Sequence, residues 1–123
     1  MNKELVVKKC LKCGELVIEL KHRSQNVICC GEPMVTLVPN SVDASFEKHV
    51  PTYEVEGNML KVKVNHVMEE DHYIEWILVA NEEQMLMKKL HPGEKAEFEC
   101  ENIENAVIYA FCNKHDLWKT EVK

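Results

Sequence analysis

Gly57-Asn58-Met59-Leu60-Lys61-Val62-Lys63-Val64-Asn65 alternates apolar Leu60, Val62 and Val64 with polar Lys61, Lys63 and Asn65. That period of two is the mark of a strand with one buried and one wet face. Gly57-Asn58 in front of it is a good two-residue hairpin turn. Further along, His91-Pro92-Gly93-Glu94 reads as a type II turn, with Pro pre-setting φ and Gly taking positive φ. Around these turns, strand candidates fall at 52–56, 59–66, 72–80, 84–90, 95–100, 106–112 and 117–122. Seven short strands with regular turn signals predict an all-β domain, an immunoglobulin-like β-sandwich within residues 39–123.

Upstream, the runs 15–20 and 34–38 are also strand-like, and no 3.6-residue apolar stripe stands out. At Val38-Pro39-Asn40-Ser41-Val42-Asp43 apolar runs give way to turn formers, which sets a domain boundary after residue 38. Residues 1–38 are too few to bury much core, and domains below about 40 residues usually need a metal or disulfides. Four cysteines lie within this segment.

The chain has 123 residues, 46% of them hydrophobic and 29% charged, ordinary for a globular protein. No apolar stretch nears the roughly 20 residues that span a bilayer, and no secretory signal opens the chain, so a cytoplasmic location is expected. The net charge of −6 is uneven: residues 1–38 carry 6 basic and 4 acidic groups, residues 39–123 carry 9 and 17. With no basic run, nucleic acid is not an expected partner. An anionic substrate would need local positive charge to enter so acidic a domain.

Two ligand sets stand out. Cys10-x-x-Cys13-Gly14 and the adjacent Cys29-Cys30 supply four thiolates, enough to close a tetrahedral zinc or iron site. Gly14 allows the positive φ of a metal-binding turn. Two adjacent cysteines must bend the chain for both sulfurs to reach one metal; a structural zinc or a vicinal disulfide is the plainer reading. The second set is His49, His66, His72, Cys112 and His115. His66 and His72 flank a turn at the mouth of a hairpin, His49 lies in an irregular segment, and Cys112-x-x-His115 closes a strand. Four imidazoles and one thiolate suit ferrous iron and leave one octahedral position open. His22 and His91 read as surface residues, Cys100 as a half-buried strand residue, and Trp76 and Phe111 as core.

Together these motifs resemble desulfoferrodoxin, the two-iron superoxide reductase family. Cys10-x-x-Cys13-Gly14 with Cys29-Cys30-Gly31-Glu32-Pro33-Met34 is similar to its desulforedoxin-like module. Glu47-Lys48-His49-Val50-Pro51, His66-x5-His72-Tyr73-Ile74-x-Trp76 and Cys112-Asn113-x-His115-x-Leu117-Trp118 are similar to its catalytic domain. The resemblance implies one iron on Cys10, Cys13, Cys29 and Cys30. It implies a second iron with His49, His66, His72 and His115 equatorial and Cys112 axial. A homodimer and a rubredoxin-like electron donor are implied as well. The family usually has glycine after the last histidine, where this chain has Asp116.

The expected reaction is one-electron reduction of superoxide to hydrogen peroxide. Lys48 is the candidate for the positive charge that draws the anion in, against the plainer reading of a solvated lysine. Glu47 is the candidate sixth ligand of oxidised iron that assists product release. Dismutation, a zinc-ribbon-like adaptor and a pure electron carrier are the competing readings.

Overall fold

The computed structural model describes residues 5–21 and 26–123, so His22 lies outside the described residues. The chain forms one compact unit that ends at Val38 and another that runs from Pro39 to the end.

In the first unit, β1 (Val6–Lys9) pairs antiparallel with both β2 (Leu16–Glu19) and β5 (Val35–Thr36). A two-residue ladder joins β3 (Ile28–Cys29) to β4 (Glu32–Pro33). Among the described residues of this unit, Val7, Cys10, Met34 and Lys8 are buried, whereas Leu11, Leu20, Ile28, Val35 and Val38 are exposed. So few buried apolar groups cannot offset the entropy of ordering the chain, which leaves a large share to the cysteine cluster. Cys30 has φ 52 and Gly31 φ 76, which is how adjacent cysteines turn the chain sharply.

The second unit opens with one helical turn, α1 (Phe46–His49), where an irregular segment was expected. Its strands are β6 (Thr52–Glu56), β7 (Met59–Lys63), β8 (Ile74–Ala80), β9 (Met85–Lys89), β10 (Glu97–Glu101), β11 (Val107–Cys112) and β12 (Asp116–Glu121). They form two antiparallel sheets, β10-β7-β6 and β12-β11-β8-β9. The alternation in β7 does what it predicts: Leu60 and Val62 enter the core with Ile77, Val79, Ile108 and Ala110 of the other sheet. Gly57 at φ 63 opens the β6–β7 hairpin, and the 91–94 turn is closed by the Glu94 N–H on the His91 carbonyl, with Gly93 at φ 88.

One expectation is corrected. Residues 64–73 are not a hairpin mouth, because β7 and β8 belong to different sheets. The segment crosses from one sheet to the other, and within it Glu69 and His72 form an isolated bridge through reciprocal backbone bonds of 3.0 and 3.2 Å. Where β11 meets β8 the register slips: Phe111 faces Trp76, but Cys112 faces Ile74, so Glu75 is passed over as a β-bulge. Trp76 and Phe111 are both buried, their rings stacked with centroids 5.6 Å apart.

Candidate metal centres

The Cys10–Cys13 turn, with Gly14 at φ 83, and the kinked Cys29-Cys30 pair bring four sulfurs within 4.8 Å of one another. All four thiols are free. Cys13 and Cys29 are 3.6 Å apart, and Cys29 and Cys30 are 4.0 Å apart. A tetrahedral metal with bonds of about 2.3 Å needs sulfurs about 3.8 Å apart, so the cluster fits one. Backbone N–H groups of Cys13 and Lys12 help pull the Cys10 thiol down to about 6. Sharing with Cys13 pushes Cys29 up to about 12, and Cys30 rises for the same reason. One thiolate forms readily and then resists the next; a cation relieves that repulsion.

In the second unit, α1 carries His49, the sheet crossover carries His66 and His72, and the β11–β12 turn joins Cys112 to His115. The four imidazoles close a cycle of edge-to-face contacts. His49 meets His66 at 4.8 Å, His66 meets His72 at 4.6 Å, His72 meets His115 at 5.3 Å, and His115 meets His49 at 4.9 Å, measured between ring centroids. Neighbouring planes lie 70° to 88° apart. His49 Nε2 and His115 Nδ1 are 3.1 Å apart, close to the ~3.0 Å edge of a square of nitrogens around a metal with ~2.1 Å bonds.

Cys112 is fully buried and its sulfur lies 3.4 Å from His66 Nε2 and 3.9 Å from His115 Nδ1. Ligand atoms of His49, His72, Cys112 and His115 fall within 4.8 Å of each other, and His66 joins the group through the sulfur contact. His72 Nε2 is buried with no hydrogen-bond partner. An orphaned imidazole nitrogen inside a ring of imidazoles is available to ligate a metal. All five expected ligands are therefore brought together, and the donor set fits iron.

Surrounding groups orient this set. His49 Nδ1 bonds the Ser45 carbonyl at 2.7 Å and His66 Nδ1 bonds the Val67 carbonyl, each leaving Nε2 for the metal. Burial pushes the pKa of both imidazoles down, which favours the neutral, ligating form. Burial pushes the Cys112 thiol up, while the N–H groups of Lys114 and His115 on its sulfur pull the other way. Asp116 adopts φ 62, the left-handed conformation that glycine takes without strain. Glu47 and Lys48 are exposed on α1, and the Lys48 charge adds to the lowering at His49. His91 is exposed and bonds Glu94 at 2.9 Å, and Cys100, buried in β10, belongs to neither cluster.

Two contributors carry no ligand spacing and were not given roles in the sequence. Trp118 stacks on His49, and Asn113 bonds backbone atoms on both sides of His72. Their partners are carbonyls, amides and ring faces, which leave no trace in residue spacing.

The model of the Desulfoferrodoxin family matches residues 41–121. A desulfoferrodoxin homolog from Archaeoglobus fulgidus is 41% identical, over 98% of this chain and 99% of that one. A desulfoferrodoxin from Clostridium acetobutylicum is 35% identical, over 99% of this chain and 100% of that one. Among solved structures, the superoxide reductase from Treponema pallidum superposes with a TM-score of 0.75 at 28% identity, covering 96% of this chain and 99% of that one.

Proposed function

This chain belongs to the desulfoferrodoxin family, and from that premise we propose that it reduces superoxide to hydrogen peroxide at an iron held by His49, His66, His72, His115 and Cys112. The observation that carries the reading is the closed cycle of four imidazoles over a buried sulfur, with His72 Nε2 left without a partner. A second iron would sit among Cys10, Cys13, Cys29 and Cys30. These sites correspond to a desulforedoxin-like module, residues 1–38, and a catalytic domain, residues 39–123.

Bound iron supplies the reducing electron and a coordination position for the anion. Each turnover consumes one superoxide, one electron and two protons. The chain's own residues do the rest. The carbonyls of Ser45 and Val67 orient two imidazoles through Nδ1, and burial favours their neutral form. Complete burial of Cys112 keeps water from its side, and the amides of Lys114 and His115 temper the sulfur's electron donation. His66, His72 and His115 keep partial exposure, so a small anion approaches from the face away from the sulfur. Lys48 attracts it within a domain of net negative charge, and Glu47 assists release of peroxide.

Electrons come from a rubredoxin-like donor, and the apolar Leu11, Leu20, Ile28, Val35 and Val38 exposed on the first unit favour a homodimer. Six free thiols, four of them clustered, favour a reducing, cytoplasmic setting.

Stoichiometry is the test. Iron-loaded, reduced protein given superoxide should yield one peroxide per electron supplied, release no oxygen, and stop when the donor is spent. Sustained oxygen release at half the superoxide consumed would make it a dismutase instead.

A further inference from the structure

Of the four imidazoles, His49 and His66 are fixed by ring N–H bonds to carbonyls. Among the described residues His72 and His115 show no such anchor: His72 Nε2 has no hydrogen-bond partner, and His115 Nδ1 lies against His49 and Cys112. Their aim depends on the turns that carry them. The side chain of Asn113 joins those two turns. Its Oδ1 accepts the Tyr73 N–H at 3.0 Å and its Nδ2 donates to the Asp71 carbonyl at 2.9 Å, so it grips the chain on both sides of His72. Its own N–H donates to the Tyr73 carbonyl at 3.2 Å, and Asn113 itself lies between Cys112 and His115.

We infer that Asn113 is a positioning residue that clamps His72 against the Cys112–His115 turn and so sets the geometry and affinity of the five-ligand site. This rests on the reading above only in assigning those five residues to one metal. Asparagine suits the task because one planar group offers an acceptor and a donor pointing opposite ways. A carboxylate keeps the acceptor but loses the donor; alanine loses both. The neighbouring Lys114–Asp71 ion pair is long, 3.8 Å, and exposed, so it contributes little.

The test uses the full metal-stripped chain titrated with Co2+ alone, which fills both centres and gives separate visible bands for the four-sulfur and the imidazole site. Asn113→Ala should weaken Co2+ at the imidazole site about 10-fold or more. It should also shift that site's bands, and leave the four-sulfur site's affinity and spectrum unchanged. Asn113→Asp should fall between Ala and the native chain. Equal losses at both sites, or a folded Asn113→Ala chain with native affinity and bands, would overturn the assignment. Should Asn113→Ala fail to fold, the Asn113→Asp chain decides: native affinity and bands at the imidazole site count against the clamp, and a site-selective loss supports it. Because metal binding is the readout, the result is independent of whether the loaded protein reduces superoxide.

Discussion

Trp118 lies flat on the imidazole of His49, ring centroids 4.8 Å apart and planes 27° apart. Its indole N–H donates to the carbonyl of His115 at 2.9 Å, and Phe46 meets its edge at 5.2 Å. One buried side chain thus braces two adjacent members of the imidazole cycle. Trp118→Phe keeps a ring against His49 but strands the His115 carbonyl, and should cost about 1–3 kcal/mol. Trp118→Ala should cost about 3–5 kcal/mol. Urea unfolding of metal-free protein measures both, and a Trp118→Phe chain as stable as the native one would deny the hydrogen bond a share.

Cys112→Ser removes the sulfur beneath the cycle and changes little else in volume. The oxidised protein should lose the sulfur-to-iron absorption of this centre while the bands of the four-cysteine centre persist. Visible spectra of the two proteins at equal iron content decide it; an unchanged spectrum would take Cys112 out of the ligand set.

Lys48→Ala leaves the ligands in place and deletes a positive charge from an acidic domain. The rate of reaction with superoxide should fall by about 10-fold at low salt, and its dependence on ionic strength should flatten. Pulse radiolysis across a salt series measures this. A native rate with native salt dependence returns Lys48 to the solvated surface.

Asp116 holds φ 62 next to the ligand His115. Asp116→Gly should be neutral or stabilising by up to about 1 kcal/mol, whereas Asp116→Val should cost about 1–2 kcal/mol. Thermal unfolding of the three proteins gives the order, and a valine variant as stable as glycine would show that the turn relaxes.

The seven sandwich strands were legible because each signal was local: alternation in Leu60-Lys61-Val62, and turns at Gly57-Asn58 and Pro92-Gly93. The ligand sets were legible for a similar reason, since cysteine and histidine at Cys-x-x-Cys and Cys-x-x-His spacings advertise themselves. What escaped was non-local. Whether 64–73 closes a hairpin or crosses between sheets depends on which strands β7 and β8 pair with, and both readings have the same periodicity. α1 spans only Phe46–His49, shorter than the repeat that would reveal it. Asn113 reaches residues 40 and 42 positions away through backbone atoms, and no residue type marks the receiving end.

The passed-over Glu75 in β8 has a sharper meaning for the thiolate. With unbroken pairing, Glu75 would stand opposite Cys112 on the inward face that Ile77 and Val79 share; the slip hands that place to Ile74, itself fully buried. A single extra residue thereby chooses a hydrocarbon over a carboxylate as the paired neighbour of a buried sulfur that would be an anion once bound to a metal. Deleting one residue there would set two negative charges face to face in a dry interior, and the sulfur would have to take up a proton or leave.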